Sequence, residues 1–387
     1  MTKYISFIIF LIVCTSCKEE TPDTEFVGKE AEYYKQLKLD HEAPKYKWGY
    51  FSDKGKLVIR DLYDDNRDFS NGYAAVQKGG LWGMIDQKGK TSIPIRFKTI
   101  TPCQCDRIVA QDLVDTYHIF SCSGILIKDS LNYATIYPYT SDRARISNGQ
   151  KVGFLDKYGE VMIPIELEDA SDMNDKYAVV SSGFEKALID VNGLKIIKGN
   201  YDKIWHPRNG YIRYKRGNAY GFVDVLSKEE IEGLYDYATD YNQDYALVQK
   251  KGKYALLNRE GMLTQLPYSY VDIGGEGKWI YASENKFGFL KNNGDVLSLP
   301  QYDLLHRYAE NRAVFSSNSV WGYLNEDGKM YIPPRYPLAW DFKNGYARTI
   351  DKNGFGFINK EGEDPFVVRF LEVRDFHEGL ARVQIYR

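Results

Sequence analysis

Around Gly72 the chain reads Gly-Tyr-Ala-Ala-Val, then Lys78-Gly79-Gly80-Leu81, then Trp82-Gly83-Met84-Ile85. The first stretch alternates as a half-buried strand does, and the glycine pair marks a tight hairpin turn into a second strand. Met84 and Ile85 are adjacent and both apolar, which puts apolar groups on both faces of that second strand. Such a strand packs on two sides. Asp86 to Gly89 then reads as a type I turn closed by a left-handed glycine, and Ser92-Ile93-Pro94 as a third short strand.

The same pattern returns along the chain. With Gly83 as anchor, equivalent positions fall at 49, 83, 118, 153, 187, 221, 255, 288, 322 and 356, and seven of these ten are glycine. A composition of 33 Gly in 387 residues gives about one by chance. The exceptions are His118, Ala187 and Ala255. The residue before the anchor is aromatic in eight of the ten copies, Trp48, Trp82 and Trp321 among them. Six positions after the anchor a glycine recurs in nine copies, three residues behind an Asp, Asn or Ser in most of them. Those acids read as turn formers rather than catalysts. Kin of Gly-Tyr-Ala-Ala-Val precede the anchor in Lys176 to Val180, Gly210 to Tyr214, Asp244 to Val248 and Gly379 to Val383.

The expected fold is therefore all-β: a tandem array of about ten repeats of ~34 residues, each of about three short antiparallel strands. The two ends of the array are out of phase. Residues 379 to 387 form a first strand without its partner, and residues 47 to 55 a second strand without a first. Pairing them closes a β-propeller-like ring and removes an edge, and this is favoured over an open β-superhelix.

The pattern of Gly-Leu-Ala-Arg-Val, aromatic-Gly-Phe-Ile, glycine turn and Val-Ile-Pro resembles the WG (KWG) repeat family of bacterial proteins. The resemblance covers about 45 to 387 and is clearest around Trp48, Trp82, Gly153, Trp321 and Gly356. It implies a repeat architecture and no particular activity.

The N-terminus supplies an address. Lys3, the apolar run Tyr4 to Val13 and the small residues before Cys17 have the layout of a secretory signal, and the run is too short for an ordinary spanning helix. Cys14-Thr15-Ser16-Cys17 resembles the lipobox of bacterial lipoproteins, with Cys17 as the lipidated residue. Lys18-Glu19-Glu20 looks like the surface-export tag of Bacteroidetes lipoproteins. The expected layout is a signal peptide over 1–16, a lipidated N-terminus and polar tether over 17–44 with a short helix over Lys29 to Leu39, and repeats over 45–387. The resemblance implies a lipid anchor in the outer membrane, facing the periplasm or displayed at the cell surface.

Composition adds little chemistry. Lys plus Arg number 51 and Asp plus Glu 53, a net charge of −2 that gives no field for nucleic acid. No nucleophile-base motif, P-loop or dinucleotide fingerprint is present, and the pattern calls for no cofactor and no metal. His41, His118, His206, His306 and His377 fall at scattered phases and read as surface or packing residues. Cys103, Cys105 and Cys122 all lie in the third copy, and one strand register puts Cys105 opposite Cys122 and leaves Cys103 free. Aromatics outside the repeated phase, Trp205, Trp279 and Trp340 above all, are the candidate ligand contacts. The function expected is a non-enzymatic interaction scaffold for proteins. The alternative is a carbohydrate-binding or glycan-active envelope protein, whose mark would be two or three carboxylates off the turn phase converging in one pocket.

Overall fold

The computed structural model describes residues 45–385. The signal segment, Cys17 and the expected helix over Lys29 to Leu39 lie outside the described residues. The rest forms ten antiparallel sheets, nine of four strands and one of three, and no helix occurs among the described residues. They follow one another around a closed, propeller-like ring of ten blades. We number the blades from the sheet that begins at Asp65, so blade 7 spans 270–302, blade 8 304–336 and blade 9 338–359.

Blade 1 shows the plan. Its strands are Asp65–Asn66, Tyr73–Lys78, Leu81–Asp86 and Thr91–Phe97, paired in sequence order. The second and third form the expected hairpin, with Tyr73 opposite Asp86 and Lys78 opposite Leu81. Gly79 and Gly80 turn it with φ of +61° and +80°, the two left-handed residues that a tight hairpin requires. Asp86 Oδ1 accepts the backbone N–H groups of Lys88 and Lys90, each at 2.9 Å, so this acid is occupied in shaping its turn. The repeats read as three strands each, and nine of the ten sheets have four. The additional first strand is only two residues long in most blades, too short to leave a period of its own.

The adjacent apolar pair does what its adjacency predicts. Met84 packs with Ile108, Ala110 and Phe120 of blade 2, whereas Ile85 packs with Tyr50, Ile59 and Tyr63 on the other side. Both are fully buried, and each such side chain contributes about 1.5–3 kcal/mol of hydrophobic stabilisation. The core is thus a circular series of layers, one between each pair of blades.

The anchor glycine answers to a bulge. Trp82 pairs with Phe97 and Met84 with Ile93, so the fourth strand carries two extra residues across Gly83. A Cβ on Gly83 would stand 2.7 Å from the Ile93 carbonyl oxygen, and one on Gly153 would stand 2.5 Å from that of Ile163. Where the anchor is alanine the crossing disappears: Ala187 pairs with Lys198 and Ala255 with Gln265 in unbroken register at that point.

The ring closes as the phase mismatch predicts. Blade 10 takes Glu372–His377 and Leu380–Gln384 from one end of the chain and Trp48–Ser52 and Leu57–Tyr63 from the other. Five consecutive pairs, from Trp48 opposite Gln384 to Ser52 opposite Leu380, make the seam.

The disulfide differs from expectation. Cys103 bonds Cys122 and Cys105 is free, so the Cys105–Cys122 pairing is corrected. Ile108 lies opposite Phe120, which in that register sets Asp106 rather than Cys105 against Cys122. Cys105 and Asp106 both have positive φ, +53° and +52°, and form a reversal closed by hydrogen bonds between Gln104 and Arg107. That reversal folds Cys103 back into the core beside Cys122.

Candidate functional site

On the second strand, opposite the residue that follows the anchor, four blades carry arginine: Arg145, Arg213, Arg348 and Arg382. Each reaches the next blade. Arg145 Nε donates to Asp172 at 2.8 Å, Arg213 Nε to Asp240 at 2.8 Å and Arg348 Nε to Asp375 at 2.5 Å. Arg382 Nη1 lies 3.8 Å from Asp68 Oδ1. Each guanidinium also covers an aromatic ring of its own blade: Tyr137 at 3.5 Å, Trp205 at 4.1 Å, Trp340 at 4.9 Å and Trp48 at 4.9 Å. The arginine side chains are 12–16% exposed, so these are partly desolvated, charge-assisted contacts that fasten one blade to the next.

This device decides the fate of the three candidate tryptophans. Trp279 is fully buried and its Nε1–H donates to the Asn292 carbonyl at 3.0 Å, so it is a core residue and the ligand assignment is corrected. Trp205 and Trp340 are half-buried, and each carries an internal guanidinium over one ring face. Tyr220 and Phe355 pack against them with ring centroids 5.9 Å away in each case. They are parts of the fastening rather than free platforms. Two histidines are similarly engaged: His118 bonds Asp129 at 2.6 Å and Asp112 at 3.0 Å, and His377 lies 3.2 Å from Asp68. Burial pushes the His206 imidazole below its ordinary pKa.

Six blades carry no arginine at the fastening position, and between blades 7 and 8 the charge at the receiving position is reversed as well. Ile280 stands where the arginine would be, and Arg307 stands on blade 8 where other blades carry the aspartate. The first strand of blade 7 contributes Asp272 at the place held by Tyr137, Trp205 or Trp340 elsewhere. Arg307 Nη2 lies 3.9 Å from Asp272 Oδ2, with both side chains substantially exposed, so this inverted pair is loose. A cleft of about 400 Å³ opens there, lined by Tyr270, Asp272, Ile273, Ile280, Phe287, Leu304, Leu305, His306, Arg307 and Asp341. Its far wall is a second pair: His306 Nδ1 bonds Asp341 Oδ1 at 3.0 Å, while the His306 ring meets Trp321 edge-on at 5.2 Å.

An apolar floor with a few polar groups around it is the usual make-up of a binding cleft. Among the described residues, no group of three or more His, Cys, Asp or Glu side chains is placed to hold a metal ion. Sequence reasoning missed this cleft, though a signal existed. Arg145, Arg213 and Arg348 are each followed by an aspartate 27 positions on, whereas Ile280 is followed at that distance by Arg307, a charge reversal at the receiving position.

A family model described as "WG containing repeat" matches residues 48–82, 82–111, 153–183, 188–218, 220–254 and 321–354, together about half of the chain. Among solved structures, one described as the eukaryotic initiation factor aligns at 10% identity with a TM-score of 0.47, covering 89% of this chain and 98% of that one. BamB from Moraxella catarrhalis aligns at 10% identity with a TM-score of 0.35, covering 74% of this chain and 96% of that one. No curated protein matches the sequence.

Proposed function

The chain belongs to the WG containing repeat family, and on that premise we propose that it is a non-enzymatic, protein-binding scaffold of the bacterial envelope, held at the outer membrane by lipid on Cys17. One observation carries the binding reading: at one of the six blade boundaries that lack the arginine–aspartate fastening, a cleft opens beside the loose, inverted pair of Arg307 and Asp272. In a repeat array the common positions build the ring, and a position that departs from them is free to serve a partner. The acids near other blades support a non-catalytic role, because they are occupied as turn caps, as Asp86 and Asp156 are, or as fasteners, as Asp172 and Asp375 are. The address rests on the signal-like N-terminus and Cys17.

Mild crosslinking in cells, followed by capture of the intact protein, tests the scaffold. A defined envelope protein should be recovered with the native chain and lost when the cleft is filled; recovery of none would count against the reading. Metabolic labelling with a fatty acid tests the anchor. Label should enter the native protein and not Cys17→Ala, and equal labelling of both would remove lipidation from the proposal.

A further inference from the structure

We infer that the cleft between blades 7 and 8 takes a cationic side chain, in the first place a guanidinium, presented by a protein partner. The inference rests on the scaffold reading and names the chemistry of its site.

The argument comes from the other blades. In four of them an internal arginine sets its head on an aromatic ring and turns toward an aspartate of the next blade, which three of the four bond and Arg382 approaches to 3.8 Å. Five blades present an aspartate at that receiving position: Asp68, Asp172, Asp240, Asp341 and Asp375. Four receive an arginine and the fifth, Asp341, receives only His306. Asp341 is also the most exposed of the five side chains, at 48% against 26–42%.

Blades 7 and 8 are consecutive and both lack the arginine, with Ile280 and Val314 in its place. The space left in front of Ile280 is the cleft, and Asp272 and Asp341 both line it. Ile280 and Phe287 offer an apolar wall for an arginine stem. The two carboxylates supply acceptors for its head, and Arg307 answers just one of them, at 3.9 Å. A partner arginine would thus enter a slot of the kind this chain fills for itself at other blades. A sugar would also find aromatic and carboxylate groups here, but no other blade gives a precedent for it.

Saturation-transfer NMR on the full chain tests this with two probes, Nα-acetyl-arginine methylamide and its citrulline counterpart, which keeps the shape and loses the charge. The arginine probe should bind about tenfold more tightly than citrulline, as expected for hydrogen bonds to ionised partners. Binding should vanish in Asp272→Asn/Asp341→Asn, provided its melting temperature stays near that of the native chain. It should vanish also in Ile280→Arg/Arg307→Asp, which keeps Asp341 but fills the slot from within. Equal binding of the two probes, or arginine binding that survives both variants, would overturn the inference. Partner capture separates the two readings. A partner retained equally by the filled-slot variant sinks this inference and leaves the scaffold standing, while arginine binding without any captured partner does the reverse.

Discussion

Arg382 donates from Nε to the Asn66 side-chain oxygen at 2.7 Å, across 316 positions of sequence. The same guanidinium reaches Asp65 and Asp68 and lies over Trp48, so one residue ties strand Leu380–Gln384 both to strand Trp48–Ser52 of its own blade and to blade 1. Arg382→Ala should cost about 3 kcal/mol, because it leaves partly buried acceptors without their cation. Arg374 also covers Trp48 but is 41% exposed, and Arg374→Ala should cost below about 1 kcal/mol. Chemical denaturation of the two variants checks the order, and equal losses would show that the seam does not depend on Arg382.

Gly83→Ala should destabilise by about 1–3 kcal/mol, since the new Cβ meets the Ile93 carbonyl and the Ile95 Cα of the bulged strand as well as the Ile95 side chain. The reverse change in blade 4, Ala187→Gly, meets no bulge at that point and should cost about 0.5–1 kcal/mol, as glycine does within a strand. Melting curves of the pair decide whether close approach explains the anchor.

The disulfide makes a redox prediction. Cys103→Ala/Cys122→Ala should lose about 3 kcal/mol, the scale expected for closing a loop of 19 residues. Alkylation of the folded, unreduced protein should modify Cys105 and spare Cys103 and Cys122. Mass spectrometry of the peptides reads this directly, and modification of Cys103 would reverse the assignment.

Alkali should unfold the ring through its tyrosines. Tyr50, Tyr308 and Tyr323 are buried and donate their hydroxyls to the Arg67, Asn325 and Trp340 carbonyls at 2.7, 2.8 and 2.9 Å. Burial holds all three phenols well above their ordinary pKa. In the unfolded chain such a phenol loses its proton near about pH 10, whereas the folded chain keeps it. Above that pH the native state binds more protons than the unfolded one, so stability falls as pH rises. Phenolate absorbance and circular dichroism should therefore change together for this subset, and ionisation well before unfolding would contradict the burial argument.

The ring and its closure were legible because they rest on features that recur. The pair Met84-Ile85 declares two packed faces, and the unpaired phases at Trp48 and Leu380 declare the seam. The two-residue strand Asp65–Asn66 was not legible, since alternation needs more positions than it has. The cysteine pairing was lost to the two left-handed residues at Cys105 and Asp106, which a register argument takes as extended. Trp279 misled for a related reason: standing outside the aromatic-glycine phase says nothing of which side of the strand a ring occupies. The cleft was hidden because it is made by an omission, and Ile280 looks ordinary until the arginines of other blades are placed in space.

A blade built from both ends of the chain also sets a timetable. Trp48–Ser52 leaves the ribosome before all other strands of the ring, yet its partner Leu380–Gln384 is the last to appear. Until then the sheet edge of Trp48–Ser52 stays open to wrong partners, and pairing across so long a loop is slow. The seam therefore closes only after the rest of the ring has been made, and it is the step at which the ring becomes edgeless.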